Sequence, residues 1–306
     1  MKRFSILTIL TATLLAVAPL AVAEDASFDS DGVQIHYQVE GEGEPVVLIH
    51  GFTASTATNW IAPGIFQALA KDYRVIGIDM RGHGKSGKPH GKENYGAKMP
   101  KDVINLLDEL GIAKAHIIGY SMGGFITTNI VCNYPDRVIS AISGGAGWMR
   151  PGGMVSDGRN AIAESLENGS GLGPLFAALT PEGAPAMPAE QLEAINRMLM
   201  ATNDPLALAG VIRGMDGLEV TEAQLKANRV PTRAIVGEID PLREGVTAME
   251  KVMSALDVVV VDGADHMTAF GNPAFLKAAR QHLEANGLDK QTKQETGELV
   301  SAGSGR

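Results

Sequence analysis

Apolar positions along this chain follow two rhythms that alternate. Val33-Gln34-Ile35-His36-Tyr37-Gln38-Val39 switches between apolar and polar residues, which predicts an antiparallel strand with one covered face. Pro45 then opens Val46-Val47-Leu48-Ile49, a run that is apolar on both faces. Such runs belong to strands covered on both sides. Similar short runs recur over residues 73–78, 115–119, 138–143, 232–236 and 258–261. Between them the spacing turns helical. Trp60, Ile61, Ile65, Phe66 and Leu69 mark a helix over 59–70, which Pro63-Gly64 should bend or delay. Val103, Ile104, Leu106, Leu107 and Leu110 mark another over 97–110, with Gly111 as its stop. A third is expected over 122–133, ended by Pro135, and a closing one over 273–283 starts at Pro273. Strands alternating with helices at this spacing predict an α/β fold of parallel βαβ units.

The rhythm breaks after Gly144. Residues 146–229 hold no convincing strand and are rich in Gly, Pro, Ala and Met, with helical pieces near 160–167, 189–200 and 206–213. They are expected to form a cap or lid inserted over the sheet. The α/β core is then 24–145 with 230–286, and the polar, Gly/Ser-rich residues 287–306 are expected to be disordered. Residues 1–23 stand apart. Lys2 and Arg3 precede an apolar stretch, and Ala21-Val22-Ala23 offers small residues where a signal peptidase reads. This predicts a signal peptide cleaved after Ala23 and a secreted or periplasmic protein. No other stretch is long and apolar enough for a bilayer, so no stable membrane insertion is expected.

At 306 residues, 45% hydrophobic, the chain can bury a large core. Its formal net charge of -9 argues against nucleic acid or anionic membrane as a partner. The single cysteine, Cys132, excludes an intrachain disulfide and reads as a small core residue. His36, His90, His116 and His282 show no metal-ligand spacing, and the phosphate-loop pattern is missing. No metal or cofactor is expected.

The chemistry centres on Ile117-Ile118-Gly119-Tyr120-Ser121-Met122-Gly123-Gly124. An apolar strand runs into Gly-x-Ser-x-Gly and a helix follows. That pattern holds a serine hydroxyl exposed at a sharp turn beside a helix N-terminus. A serine is a poor nucleophile unless a base takes its proton and a third group orients that base. In a parallel sheet such groups sit at the C-terminal strand ends. Asp240 lies just past one later strand and His266 just past the last. Glu238, Asp262 and Asp265 compete for the acid position. Asp262 still lies at its strand, and Asp265 adjoins His266 and should point elsewhere. Two backbone N–H groups should form an oxyanion hole, from Met122 after the serine and from Phe52 in the loop past Ile49. His50 and His83, in glycine-flanked loops, read as structural, and Asp79 as the pin of its own loop. Trp148 follows a strand end near where the site should open and is a candidate substrate contact. Met149, Met154, Met187, Met198, Met200 and Met215 could line an adaptable pocket or simply pack the cap.

These motifs together resemble the α/β-hydrolase fold family over about residues 31–285. His50-Gly51-Phe52 is similar to the family's oxyanion loop. Asp79-x-Arg81-Gly82-His83-Gly84-x-Ser86 is similar to a loop of its esterase, lipase and haloperoxidase-like branches. Gly119-x-Ser121-x-Gly123, Asp240 and His266 match the elbow, acid and base in order. Where many relatives have glycine before the histidine, this chain has Asp265. The resemblance implies a serine hydrolase acting on a small-molecule ester. The alternatives are a lactonase, perhydrolase, C–C hydrolase or acyltransferase with the same residues, or a ligand-binding member without turnover. Related dehalogenases and epoxide hydrolases carry aspartate at the elbow, which Ser121 disfavours.

Overall fold

A computed structural model describes residues 24–151 and 156–290. The expected signal peptide, Met154 and all but the first residues of the expected disordered tail lie outside the described residues. One sheet of eight strands runs in the order β1-β2-β4-β3-β5-β6-β7-β8. In chain order these are β1 Glu24–Ser30, β2 Val33–Glu40, β3 Pro45–Ile49, β4 Arg74–Ile78, β5 Ala115–Tyr120, β6 Val138–Gly144, β7 Thr232–Gly237 and β8 Leu256–Val261. β1 pairs antiparallel with β2 and β2 antiparallel with β4, and every later pairing is parallel.

The doubly apolar strands other than β8, which forms an edge, sit inside the sheet, as their composition requires. Val47 and Ile49 of β3 face one core cluster with α2 (Lys98–Glu109) and α3 (Met122–Asn133). Val46 and Leu48 face the other, with Trp60, Phe66 of α1 (Ile65–Leu69) and Phe275 of the closing helix Pro273–Ala285. The Pro63-Gly64 break is a real one. A short π-helical turn at Ala57–Ile61 ends before Gly64, whose φ of 78° restarts the chain as α1. β1 escaped the sequence reading. Only Phe28 and Ser30 of Glu-Asp-Ala-Ser-Phe-Asp-Ser are buried, so the strand is specified by its backbone pairing to β2 more than by apolar pattern.

From Gly145 to Pro231 the structure holds no strand among the described residues. It holds α4 (Ser156–Glu167), α5 (Gly173–Leu179), α6 (Ala189–Met200), α7 (Pro205–Gly214) and α8 (Glu222–Ala227). α5 and α8 are too short to show a periodicity. These helices differ in attachment. α7 is buried along Ala207–Ile212, and Asp204 at its N-cap meets His90 at 2.9 Å. α6 has no buried residue at all. Met149 and Met215 pack into the core, Met187 and Met200 are half-buried, and Met198 is exposed. No helix of the described residues is long and apolar enough to cross a membrane.

Polar groups inside the fold are mostly tied down. Arg81 donates to both Asp102 oxygens at 2.6 Å, and Ser30 Oγ donates to Asp102 at 2.6 Å. Cys132 is half-buried, and burial raises its thiol pKa to about 11. His50, His83, His116 and His282 are buried, and desolvation lowers all four from 6.5, His83 to about 3 and His282 to about 4. His36 goes the other way. Burial opposes its charge, but Asp79 at 3.0 Å and Asp25 at 2.5 Å outweigh that and raise it.

A pH dependence of stability follows. The unfolded chain protonates its histidines below 6.5, while in the fold the four depressed ones take up a proton only at lower pH. Their stabilising contribution is complete above 6.5 and is lost as pH falls, at up to about 1.4 kcal/mol per histidine per pH unit. His36 contributes below 6.5 and loses its contribution as pH rises through its raised pKa. Urea midpoints from pH 7 to 4.5 should therefore fall steeply. His282→Gln should flatten that fall by roughly 1–2 kcal/mol over the range. Parallel curves for variant and wild type would remove His282 from this account.

Candidate active site

The sheet carries the candidate residues to one edge. β3, β5, β6, β7 and β8 are neighbours and parallel, so the loops after them open side by side. Ser121 follows β5 directly and caps α3. Its φ of 54° and ψ of -115° are a conformation that L residues avoid. The glycines around it are required by contact. A Cβ on Gly119 would sit 2.0 Å from Gly123 O, and one on Gly123 would sit 2.1 Å from Ile49 O. With no side chains there, β5, α3 and β3 close around the turn and leave the serine at its tip.

Three side chains then line up. Ser121 Oγ lies 3.0 Å from His266 Nε2, and His266 Nδ1 lies 2.9 Å from Asp240 Oδ2. His266 and Asp240 are buried and Ser121 is half-buried. The carboxylate can only accept, so Nδ1 carries the proton and Nε2 offers its lone pair to the serine hydroxyl. Asp240 is itself fixed, since its Oδ1 accepts from Leu242 N–H at 2.8 Å. Two of the rival acids, Glu238 and Asp265, are occupied elsewhere. Glu238 accepts from Gly263 N–H at 2.8 Å. Asp265 closes a turn, accepting from the N–H groups of Met267 and Thr268 and from the Thr268 hydroxyl. Burial opposes charge on Asp265, but these donors hold its carboxyl below the usual range.

The oxyanion loop is held from behind. Gly51 N–H donates to Asn59 Oδ1 at 2.8 Å. Met80 N–H donates to His50 Nε2 at 3.0 Å, so His50 Nδ1–H donates to Gly51 O at 2.8 Å. Gly51 packs directly against Ser121. Phe52 is half-buried with its ring edge-on to His83, and its N–H has no acceptor among the described residues. Met122 opens α3, where the first N–H groups lack intrahelical acceptors. Asp79 does more than pin its own loop. It accepts from Lys85 N–H and also from Thr56 N–H, joining two loops, and its contact with His36 helps hold its carboxyl well below the usual range against the effect of burial.

Two features were not legible in the sequence. The Tyr120 hydroxyl donates to His266 O at 2.6 Å, so the residue before the serine also holds the loop of the histidine. The other is what holds Trp148. Its indole N–H donates to Val220 O at 2.7 Å and Arg150 stacks over the ring at 4.4 Å. Among the described residues no hydrogen bond or ring contact joins it to Ser121, His266 or Phe52. It fastens the start of the inserted segment to its end.

The known proteins that resemble this chain agree with the architecture. A profile for the alpha/beta hydrolase fold matches residues 44–169. A thermophilic esterase from Thermogutta terrifontis superposes with a TM-score of 0.69 at 26% identity, covering 86% of this chain and 98% of that one. The dihydrolipoyllysine-residue acetyltransferase component of the acetoin cleaving system of Pseudomonas putida is 41% identical over 105 residues, 34% of this chain and 27% of that protein. Bifunctional epoxide hydrolase 2 of Sus scrofa is 33% identical over 127 residues, 41% of this chain and 22% of that protein. The chain thus spans about a quarter of the length of these curated relatives. Strand order, elbow and matched profile together define the class: the chain has the α/β-hydrolase fold.

Proposed function

We propose that this protein is a serine hydrolase that cleaves small-molecule carboxylic esters. The observation that carries the reading is the Ser121–His266–Asp240 chain of hydrogen bonds at 3.0 and 2.9 Å, beside two free N–H groups. His266 Nε2 takes the proton of Ser121 Oγ as that oxygen attacks the ester carbonyl. The N–H groups of Phe52 and Met122 hold the oxyanion, worth about 3–4 kcal/mol per donor in such sites. Asp240 stabilises the imidazolium. The alcohol leaves with the proton from His266, and water activated by His266 then releases the acid and restores the serine.

The elbow supports ester over epoxide chemistry. It presents a neutral hydroxyl, and opening an epoxide through an alkyl-enzyme needs a carboxylate there. The lid, residues 146–229, roofs the site and selects the substrate. Its length and its helix α6, which has no fully buried residue, support this role. The amino-terminal pattern supports export with cleavage after Ala23, leaving Glu24 of β1 at the new terminus.

The test is a series of p-nitrophenyl esters of increasing acyl length, with fluorophosphonate labelling in parallel. Hydrolysis that is blocked by one label on Ser121 is the expected result. Preference for short chains would mark an esterase, and activity on long chains at an interface a lipase. A folded protein that neither turns over nor takes the label would remove the reading. The acetyltransferase component among its relatives favours one second reading, acyl transfer. Added methanol would reveal it as methyl ester formed in place of free acid.

A further inference from the structure

Among the described residues, one side chain hydrogen-bonds the lid to the oxyanion loop. Asn203 follows α6, and its Nδ2 donates both to Leu199 O, at 3.0 Å, and to Thr53 O, at 3.1 Å. Among the described residues this is the one hydrogen bond from residues 173–203 to the sheet domain. The adjacent residue works differently. Asp204 caps α7 and meets His90, so α7 is fixed to the core by its own contacts. α6 has no fully buried residue: Asn196 accepts from Leu172 N–H at 2.9 Å, and only its last residues, Leu199 and Met200, pack against the core, next to Asn203.

The acceptor end is unusual too. Ala54 N–H donates to Gly51 O at 3.2 Å, which makes Gly51-Phe52-Thr53-Ala54 a turn. Thr53 has a φ of 65°, while Phe52 is not among the residues with positive φ. That is the type II pattern, and its third position normally belongs to glycine. A β-branched residue there is strained and persists only where its surroundings hold it. The Asn203 amide is such a hold, and it acts one residue from the Phe52 N–H.

We propose that Asn203 is a positioning residue that joins the seating of α6 to the assembly of the oxyanion site. With α6 seated, its amide keeps the Thr53 carbonyl, and hence the whole turn, in the strained form that aims the Phe52 N–H at the oxyanion. When α6 lifts, the turn relaxes and the donor swings out of line. A site whose lid is open therefore lacks one of its two donors. This rests on the oxyanion role proposed for Phe52, although the coupling between helix and turn does not.

Two measurements separate the claims. Hydrogen–deuterium exchange of the peptide covering Gly51 to Ala54 should speed up in Asn203→Ala, with β5 unchanged. With p-nitrophenyl acetate, Asn203→Ala should lower kcat by roughly 10-fold or more while KM moves less than about 2-fold, since the lost alignment matters in the transition state. Asn203→Asp should be at least as poor, because a carboxylate faces two carbonyl oxygens and cannot donate. Thr53→Gly supplies the rescue. Glycine holds a positive φ without help, so in that background Asn203→Ala should cost less than about 3-fold. Equal losses in both backgrounds, a change in KM alone, or unchanged exchange would overturn the proposal. Altered exchange in a protein without esterase activity would keep the coupling and discard the catalytic reading.

Discussion

Ser121→Ala is expected to lower kcat for ester hydrolysis by about 10⁴-fold or more and to abolish fluorophosphonate labelling, with folding intact. Without the hydroxyl, His266 has no proton to take and the acyl group has no oxygen to bind. Among the described residues the only side-chain hydrogen bond lost is that from Ser121 Oγ to His266 Nε2, which is part-buried, so stability should change by no more than about 1 kcal/mol. Ser121→Gly carries the argument further. The backbone at this position, φ 54° and ψ -115°, strains every L residue and is comfortable for glycine. That variant should be as inactive as Ser121→Ala and more stable than it by about 1 kcal/mol, read as a shift of the urea midpoint. The strain is then a stability cost accepted at the nucleophile, because only that conformation lifts the hydroxyl clear of strand and helix. Activity within about 10-fold of wild type in both variants would move the nucleophile elsewhere. Equal stability of the two variants would mean that the elbow is not strained.

Why these residues could be read without coordinates is a matter of where they sit. A parallel strand covered on both faces writes itself as a continuous apolar run, and Val46–Ile49 and Ile117–Ile118 do so. Once strand ends are located, polar residues just past them are candidates for one shared edge, which is how Asp240 and His266 were found. Elements with few buried positions leave no such mark. β1 buries two of its residues and α9 (Arg243–Glu250) buries only Val246 and Met249. α6 shows the reverse case. Its helical periodicity was plain, yet none of its residues is buried, because periodicity reports an amphipathic helix and not what the helix meets. The links that tune the site were illegible for a further reason. Tyr120 to His266 spans 146 positions and Asn203 to Thr53 spans 150, and each ends on a backbone carbonyl, which any residue supplies.

Asp240→Asn should lower kcat by about 10⁴-fold while leaving KM and folding nearly unchanged. The amide fits the same space. Its oxygen can keep the Leu242 N–H, and its nitrogen then faces His266 Nδ1 with a donor where the carboxylate offered an acceptor. The imidazole must turn its lone pair to Nδ1 and place its proton on Nε2, toward Ser121. A base that already holds a proton cannot take another, and the imidazolium that would form has lost its counter-charge. The neighbouring acids give the contrast. Glu238→Gln leaves an oxygen to accept from Gly263 N–H, and Asp265→Asn leaves one for the turn at Met267 and Thr268. Both should keep kcat within about 5-fold of wild type, as surface substitutions away from the reacting groups do. Steady-state kinetics on the three variants decides which carboxylate serves the histidine. A large loss in Glu238→Gln or Asp265→Asn with a mild one in Asp240→Asn would reassign the acid. Comparable losses in all three would show the loop geometry, and not one carboxylate, to be what the reaction needs.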